Sequence, residues 1–350
     1  MDMNDAARGA ALMSDVLEDR YGLAAAVIEP VHMGTDTINR WVLTEDGLRL
    51  FVKEYRSTAD VDAARTASDM SEYCRAAQLP VPRVWPDRDG DLVTLAEGSA
   101  WAVTDEAPGG VIASAMTVAL AEHIGTVVGR MHRVLGAYPM PKQVQHSRWR
   151  TAAVEDAVAK CERVLATALR QRHDEVGQLR LDLDQRREDL QEHVHRLRRA
   201  LPEGLVEQAL HADLTRTNVI VLGDAVTGII DFRGRRALPA WELGRAAFDP
   251  RTVATSPEWI ACALAMVGAY HAENPSLPLP EVRACARIAL LYMLFSFYGA
   301  TTAEYGLPEE AETDLKRHWR ERQTTIRLLL DHLDDLDGAF ADIAPCGGHQ

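Results

Sequence analysis

Apolar positions recur at two spacings along this chain, and the spacing changes once. Residues Ala6 to Tyr21 have the period of a short amphipathic helix, after which apolar runs shorten and alternate. Val27-Ile28, Ile38 to Thr44 and Leu48-Arg49-Leu50-Phe51-Val52-Lys53 predict strands, separated by turns at Gly34-Thr35-Asp36 and Asp46-Gly47. A helix is predicted over Val61 to Ala77, ended by Leu79-Pro80-Val81-Pro82. Strands around Asp91 to Leu95 and Trp101 to Thr104 then lead to Pro108-Gly109-Gly110, a break suited to a hinge. Beyond it the helical period takes over. Helices are predicted over Ile112–Leu135, Arg150–Gln171, Val176–Ala200, Pro257–Asn274, Glu281–Tyr305 and Pro308–Asp335. The leucines within the charged stretch Arg180 to Arg199 are too irregular for a sustained heptad, so that helix is expected to be partly exposed.

One segment interrupts the helical half with strand character. Asn218-Val219-Ile220-Val221-Leu222 and Gly228-Ile229-Ile230-Asp231-Phe232 flank Gly223-Asp224, which is a hairpin signature. Pairing the two runs brings Asn218 beside Asp231, and the loop upstream delivers Asp213 to the same end. Two oxygen ligands and a further carboxylate then converge, as phosphoryl transfer with Mg2+ requires.

The order His211-x-Asp213-Leu214-x-x-x-Asn218, then Asp231-Phe232, is the catalytic-loop and metal-binding signature of the eukaryotic-type kinase fold. With His211-Ala212-Asp213 at its head it resembles the aminoglycoside phosphotransferase and choline kinase-like family, over roughly residues 20 to 330. The resemblance implies an α+β, bilobal protein kinase-like fold: an N-lobe of antiparallel sheet plus helix, and a mostly helical C-lobe. Residues 1–107 would form the nucleotide-binding lobe, with the interlobe linker near 104–110. Residues 108–340 would form the helical lobe, carrying the catalytic loop 211–218 and Asp231. Asp213 would be the catalytic base, Asn218 and Asp231 the Mg2+ ligands, and His211 an organiser of the loop. Lys53, ending its strand, would contact the nucleotide phosphates.

Two parts of the family pattern do not match. The helix after Lys53 should offer a glutamate, and the Pro-containing turn at 79–82 places the usual position near Ala67. Glu72 and Asp69 are the available acids, with Glu72 as the candidate partner. The phosphate loop keeps one glycine, Gly34, with Thr35 and Thr37 either donating hydroxyls to phosphate or belonging to a plain hairpin turn. Thr104 and Glu106 fall in the linker that would hold the base through backbone groups, leaving both ATP and GTP open.

Composition narrows the partners. A formal charge of −14 over 350 residues argues against nucleic acid, and is as compatible with a cationic acceptor as with solubility alone. The five cysteines are scattered without ligand spacing and read as reduced thiols. The acidic N-terminus lacks a signal pattern, and the uncharged run Ile288 to Ala303 is shorter than a bilayer span of about 20 residues. A cytoplasmic enzyme with no membrane partner is expected. Its acceptor would be a hydroxyl-bearing small molecule, possibly cationic: an aminoglycoside or other antibiotic, or alternatively a metabolite such as homoserine, choline or a sugar. A non-catalytic nucleotide-binding relative is the other alternative. Arg233, Arg235 and Arg236 approach phosphate charge or cap a surface loop, and Asp249, Glu304, Glu309 and Glu310 are candidate contacts for cationic groups. Glu242 is read as structural, with contact to substrate as the lesser alternative, and His132 as part of a core helix.

Overall fold

The computed structural model describes residues 3–31, 37–55, 61–113, 115–171, 175–301 and 309–343. Gly34 and Thr35 lie outside the described residues. The first part is an antiparallel sheet in the order β1 (Ala25–Val31), β2 (Thr37–Thr44), β3 (Arg49–Tyr55), β6 (Ser99–Asp105) and β4 (Val84–Trp85), with β5 (Thr94–Ala96) also pairing with β6. Alternation in β3 buries Leu50, Val52 and Glu54 on one face and leaves Phe51, Lys53 and Tyr55 on the other. The buried face packs on helix α1 (Met3–Val16), where Met13 and Val16 meet Val42, Leu50, Trp101 and Val103. Lys53 therefore stands on the opposite face, in register with Asn39 of β2 and Ala102 of β6.

Helix α2 (Val61–Ala76) ends where Gln78 turns left-handed at φ 62° and Pro80 and Pro82 forbid continuation. The expected hinge is partly strand: Gly110–Val111 (β7) pairs with β9 (Val219–Leu222), which pairs in turn with β10 (Ala225–Ile229). Helix α3 (Val118–Leu135) starts six residues later than its period predicts, because Thr117 caps it by accepting from Leu120 N–H at 3.0 Å. The same hydroxyl donates to Asp224 at 2.6 Å, and His123 accepts from Val226 N–H at 2.9 Å. The hairpin is thus tied to the helix.

The rest is helical: α4 (Arg148–Thr151), α5 (Val154–Arg170), α6 (Val176–Arg199), α7 (Pro239–Ala247), α8 (Pro250–Thr255), α9 (Trp259–Glu273), α10 (Leu279–Arg283), α11 (Cys285–Phe295) and α12 (Glu309–Ala341). The helix predicted over 281–305 is two, α10 and α11, and α11 stops at Phe295. Buried Arg186 of α6 donates to the carbonyls of Met293, Leu294 and Ser296 at 2.7, 3.1 and 3.1 Å, satisfying groups a helix C-terminus leaves open. Helices α3 and α9 cross backbone to backbone, since a Cβ at Gly125 would lie 2.2 Å from Met266 O and one at Gly129 2.7 Å from Tyr270 O. No described helix is long and apolar enough to cross a membrane.

Candidate active site

The segment between β8 (Gln208–Leu210) and β9 contains His211, Asp213 and a 3-10 turn over Arg216–Asn218. After β10 the chain returns through Asp231 to β11 (Arg235–Ala237), which pairs antiparallel with β8. Ile230 N–H donates to Asn218 O at 3.0 Å, so the hairpin places Asn218 next to Asp231 as its sequence implies. Asn218 Nδ2 donates to Asp213 O at 2.8 Å. That bond uses the amide nitrogen and leaves Oδ1 as the side chain's acceptor.

His211 holds the loop together. Its ring is fully buried, with its centre 4.4 Å from that of Phe232 and the two planes tilted by 41°. Nε2–H donates to Ile230 O at 2.8 Å, and Nδ1 accepts from Asp213 N–H at 3.1 Å. Only the neutral imidazole with its proton on Nε2 makes both bonds. Burial keeps the ring in that form by holding its pKa below the ordinary 6.5.

Ala212 turns left-handed at φ 67°, a conformation that costs an alanine about 1 kcal/mol or more. Its N–H donates to Glu242 Oε1 at 2.6 Å. Glu242 has no exposed surface, and its Oε2 lies 3.1 Å from His132 Nε2. His132 Nδ1 in turn is 2.9 Å from Tyr270 OH, which accepts from Asn274 Nδ2 at 3.0 Å. The chain of bonds is fully satisfied when Tyr270 donates to Nδ1 and Nε2–H donates to the carboxylate. Burial alone would raise the Glu242 pKa, but the His132 hydrogen bond and nearby positive charge hold it below the usual range.

Asp213 faces two guanidinium groups, Arg245 Nη2 at 3.4 Å from Oδ1 and Arg233 Nε at 3.7 Å from Oδ2. Arg245 is one turn after Glu242 on α7, so one helix face supplies both the loop's backbone anchor and a cation beside Asp213. Arg216 fixes the other end of the loop, donating to Ile112 O at 2.9 and 2.7 Å and pairing with Asp249 at 3.3 Å. Neither Arg245 nor Arg216 was singled out from sequence. A visible signal for Arg245 was an acid and a base at i and i+3 in an otherwise apolar helix.

Lys53 reaches across from the sheet to Asp231, with Nζ 2.5 Å from Oδ1. Asp231 is itself left-handed at φ 66°. Burial works to raise its pKa, and the charge and hydrogen bond of Lys53 more than reverse this, leaving it below the ordinary carboxylate value. Glu72 is not the partner of Lys53, which corrects the sequence expectation: its carboxylate accepts from Val84 N–H at 2.6 Å and pairs with Arg75 at 2.8 Å. Near the position of the family glutamate, the backbone of Ala67 runs close to Gly234, where a Cβ would lie 3.4 Å from Ala67 Cα.

The remaining candidates are less central. Thr37 donates to Asn39 Oδ1 at 2.8 Å, and Thr104 Oγ1 lies 3.5 Å from Phe51 O. Glu106 N–H donates to Arg49 O at 3.0 Å and its carboxylate pairs with Arg49, so neither group is offered to a base. Arg235 donates to Gln145 at 3.1 Å and Arg236 pairs with Glu207 at 3.2 Å. Asp249 is no contact for a cationic ligand: it caps α8 through Thr252 N–H at 3.2 Å and holds Arg216. Glu304 lies outside the described residues, as does the side chain of Glu310.

A model of the phosphotransferase enzyme family matches residues 27–288. The chain belongs to that family. It is a small-molecule kinase, and its fold is that of the kinase-like phosphotransferases. A homoserine kinase of Zymomonas mobilis subsp. mobilis is 23% identical over 267 residues, which are 75% of this chain and 76% of the relative. Among solved structures, a spectinomycin phosphotransferase bound to ADP and spectinomycin superposes with a TM-score of 0.60 at 11% identity, over 91% of this chain and 96% of that one. An aminoglycoside phosphotransferase from Alicyclobacillus acidocaldarius gives 0.58 at 17% identity, over 93% and 96%. An amicoumacin kinase bound to AMP-PNP and Ca2+ gives 0.54 at 13% identity, over 92% and 93%. At these identities the structural likeness speaks for the fold.

Proposed function

We propose that this phosphotransferase moves the γ-phosphoryl group of ATP or GTP to a hydroxyl of a small molecule, with Mg2+ as the accompanying cation. The observation that carries the reading is the pair Lys53–Asp231, 178 residues apart in sequence and 2.5 Å apart in space, beside Asn218 and Asp213. A nucleotide and its cation offer each member of that pair a partner of opposite charge. Asn218 Oδ1 and the Asp231 carboxylate are hard oxygen donors of the kind Mg2+ takes. Among the described residues no group of three or more His, Cys, Asp or Glu is placed to hold a metal, so phosphate and water oxygens would complete the shell. Bound there, Mg2+ would neutralise charge on the transferring phosphate.

Asp213 then acts as the base. The acceptor oxygen attacks the γ-phosphorus, its proton passes to the Asp213 carboxylate, and the bond to the bridging oxygen breaks to release the nucleoside diphosphate. Arg245 and Arg233 hold the carboxylate in position, while Lys53 balances charge on the nucleotide phosphates. His211 and Glu242 fix the loop and touch no substrate. In this reading residues 1–107 bind the nucleotide, 104–110 link the lobes, and 108–340 carry the catalytic loop and acceptor site.

The acceptor favoured is an antibiotic, in resistance or self-protection within the cytoplasm, as the names of the amicoumacin and spectinomycin enzymes suggest. The homoserine kinase relative supports a metabolite as the second reading. A nucleotide-consumption screen with ATP and GTP against antibiotics and simple alcohols tests the class. Nucleoside diphosphate release coupled to a phosphorylated product is expected, and nucleotide binding with no product from any hydroxyl counts against it.

A further inference from the structure

The catalytic loop carries two hydroxyl groups that the proposed mechanism leaves unused, on Thr215 and Thr217. Between Asp213 and Asn218 the side chains alternate in burial. Leu214 is in the core and Arg216 turns inward to Ile112 O and Asp249, while Asp213 and Thr215 are half-buried and Thr217 is exposed. Thr215 has extended backbone, at φ −125° and ψ 165°, and so faces the same side of the chain as Asp213 two residues earlier. Both ends of the loop are tied to Asn218, whose Nδ2 donates to Asp213 O at 2.8 Å and whose N–H donates to Thr215 O at 2.9 Å. Thr215 is therefore held between the proposed base and the proposed metal ligand.

The Thr215 hydroxyl does not do what a threonine usually does where a helical turn begins. Thr215 is the N-cap of the 3-10 turn Arg216–Asn218, a position at which the hydroxyl ordinarily accepts from a backbone N–H two or three residues on. It makes no such bond, and the Asn218 N–H goes to the Thr215 carbonyl. Thr215 Oγ1 instead lies 2.9 Å from Thr217 Oγ1. A hydroxyl has one proton and two lone pairs, so one proton is spent within this pair and the other is available to an acceptor outside it. With Thr217 as the donor, the available proton is that of Thr215, and the bond it receives strengthens the one it gives. A phosphate oxygen is an anionic acceptor, the kind that takes the shortest and strongest O–H bonds.

We propose that Thr215 is a further catalytic residue: its O–H, oriented by Thr217, donates to a non-bridging oxygen of the γ-phosphoryl group. This rests on the proposed phosphotransfer at Asp213. The group in transit then meets a fixed neutral donor on the same side of the loop as the base, while Lys53 serves the remaining nucleotide phosphates. Thr215 keeps its proton, and no bond to its oxygen forms or breaks. A contact of this kind acts on a nucleoside triphosphate and not on the diphosphate. A hydroxyl that only shaped the loop would affect the two alike.

The test compares ADP with AMP-PNP, which differ by the γ-phosphate, each titrated by calorimetry with Mg2+ into the full chain and its variants. GDP and GMP-PNP take their place if the chain binds only guanine nucleotides. Thr215→Val keeps the shape of the side chain and removes the hydroxyl. It should weaken AMP-PNP about tenfold, as for a hydrogen bond to a charged group, and leave ADP within about twofold. Thr215→Ser restores the donor and should hold both affinities within about threefold of the parent, and Thr217→Val should give a smaller loss confined to AMP-PNP. Circular dichroism checks folding, and Thr215→Ala is read in the same way if the valine variant does not fold. Unchanged AMP-PNP affinity in a folded Thr215→Val protein, equal weakening of ADP and AMP-PNP, or a serine variant as impaired as the valine one would overturn the proposal. The parent is also offered ATP and GTP with homoserine, choline, kanamycin, spectinomycin and the other acceptors of the nucleotide-consumption screen. A selective loss of AMP-PNP affinity with no phosphorylated product from any of them would count against the reading of Asp213 and leave the Thr215 contact standing.

Discussion

Removing the carboxylate of Glu242 should be among the most damaging single changes outside the reacting groups. Its two oxygens serve Ala212 N–H at 2.6 Å and His132 Nε2 at 3.1 Å, and it has no exposed surface. Glu242→Ala strands both donors in the interior and leaves a cavity, with an expected cost of about 3–5 kcal/mol, from roughly 1–3 kcal/mol for each unsatisfied donor plus the cavity. Glu242→Gln keeps the volume and one acceptor but turns an NH2 toward one of the two donors. His132 can change tautomer to accept from it, its Nδ1–H then donating to Tyr270 OH and leaving the Tyr270 hydroxyl proton without this acceptor, so about 1–3 kcal/mol is expected. Equilibrium denaturation followed by tryptophan fluorescence and circular dichroism, with coincident transitions, measures both. Turnover should fall in each variant beyond any loss of folded protein, because Ala212 at φ 67° is held there by this bond and Asp213 follows it in the chain. A Glu242→Ala protein within 0.5 kcal/mol of the parent, taking about that as a surface-like effect, would refute the reasoning.

Two other predictions concern burial. His211 is held below its ordinary 6.5 by burial, and His318 is pulled down to about 3 by burial and by Arg322, Arg245 and Arg251. Below about pH 6.5 the unfolded chain binds more protons at these two rings than the folded one does, so stability should fall as pH drops from about 6.5, before carboxylates titrate. A denaturation midpoint that stays flat from pH 8 to 5 would contradict this. Arg186, fully buried with its pKa drawn down to about 9 by desolvation, leaves three carbonyls unsatisfied when changed to Met. Arg186→Met should cost on the order of 3–5 kcal/mol in the same denaturation assay, and a parent-like midpoint would show that the carbonyls find other partners.

The parts legible in sequence were those set by local pattern. Alternation in β3 put Lys53 on the open face of the sheet, and β-branched runs around Gly223-Asp224 gave the hairpin that sets Asn218 by Asp231. The tertiary partners were not legible. Lys53 meets Asp231 instead of Glu72 because Glu72 is drawn to Arg75 and the backbone of β4, contacts that no spacing announces. The break between α10 and α11 and the early end of α11 fall inside an uninterrupted apolar pattern. The carbonyls at that end are satisfied by Arg186, more than 100 positions earlier. Glu242 was legible as structural, and only the fold shows that its role is to hold Ala212 N–H.

The central claim is that Asp213 takes the acceptor's proton in a site that binds nucleotide independently of it. Asp213→Asn preserves the shape of the side chain, so its direct test is single-turnover phosphorylation of an acceptor found in the screen, beside AMP-PNP affinity. Phosphoryl transfer should fall by roughly 10²–10⁴, the contribution of a general base, with nucleotide affinity changed by no more than about threefold. Transfer within tenfold of the parent would contradict the account.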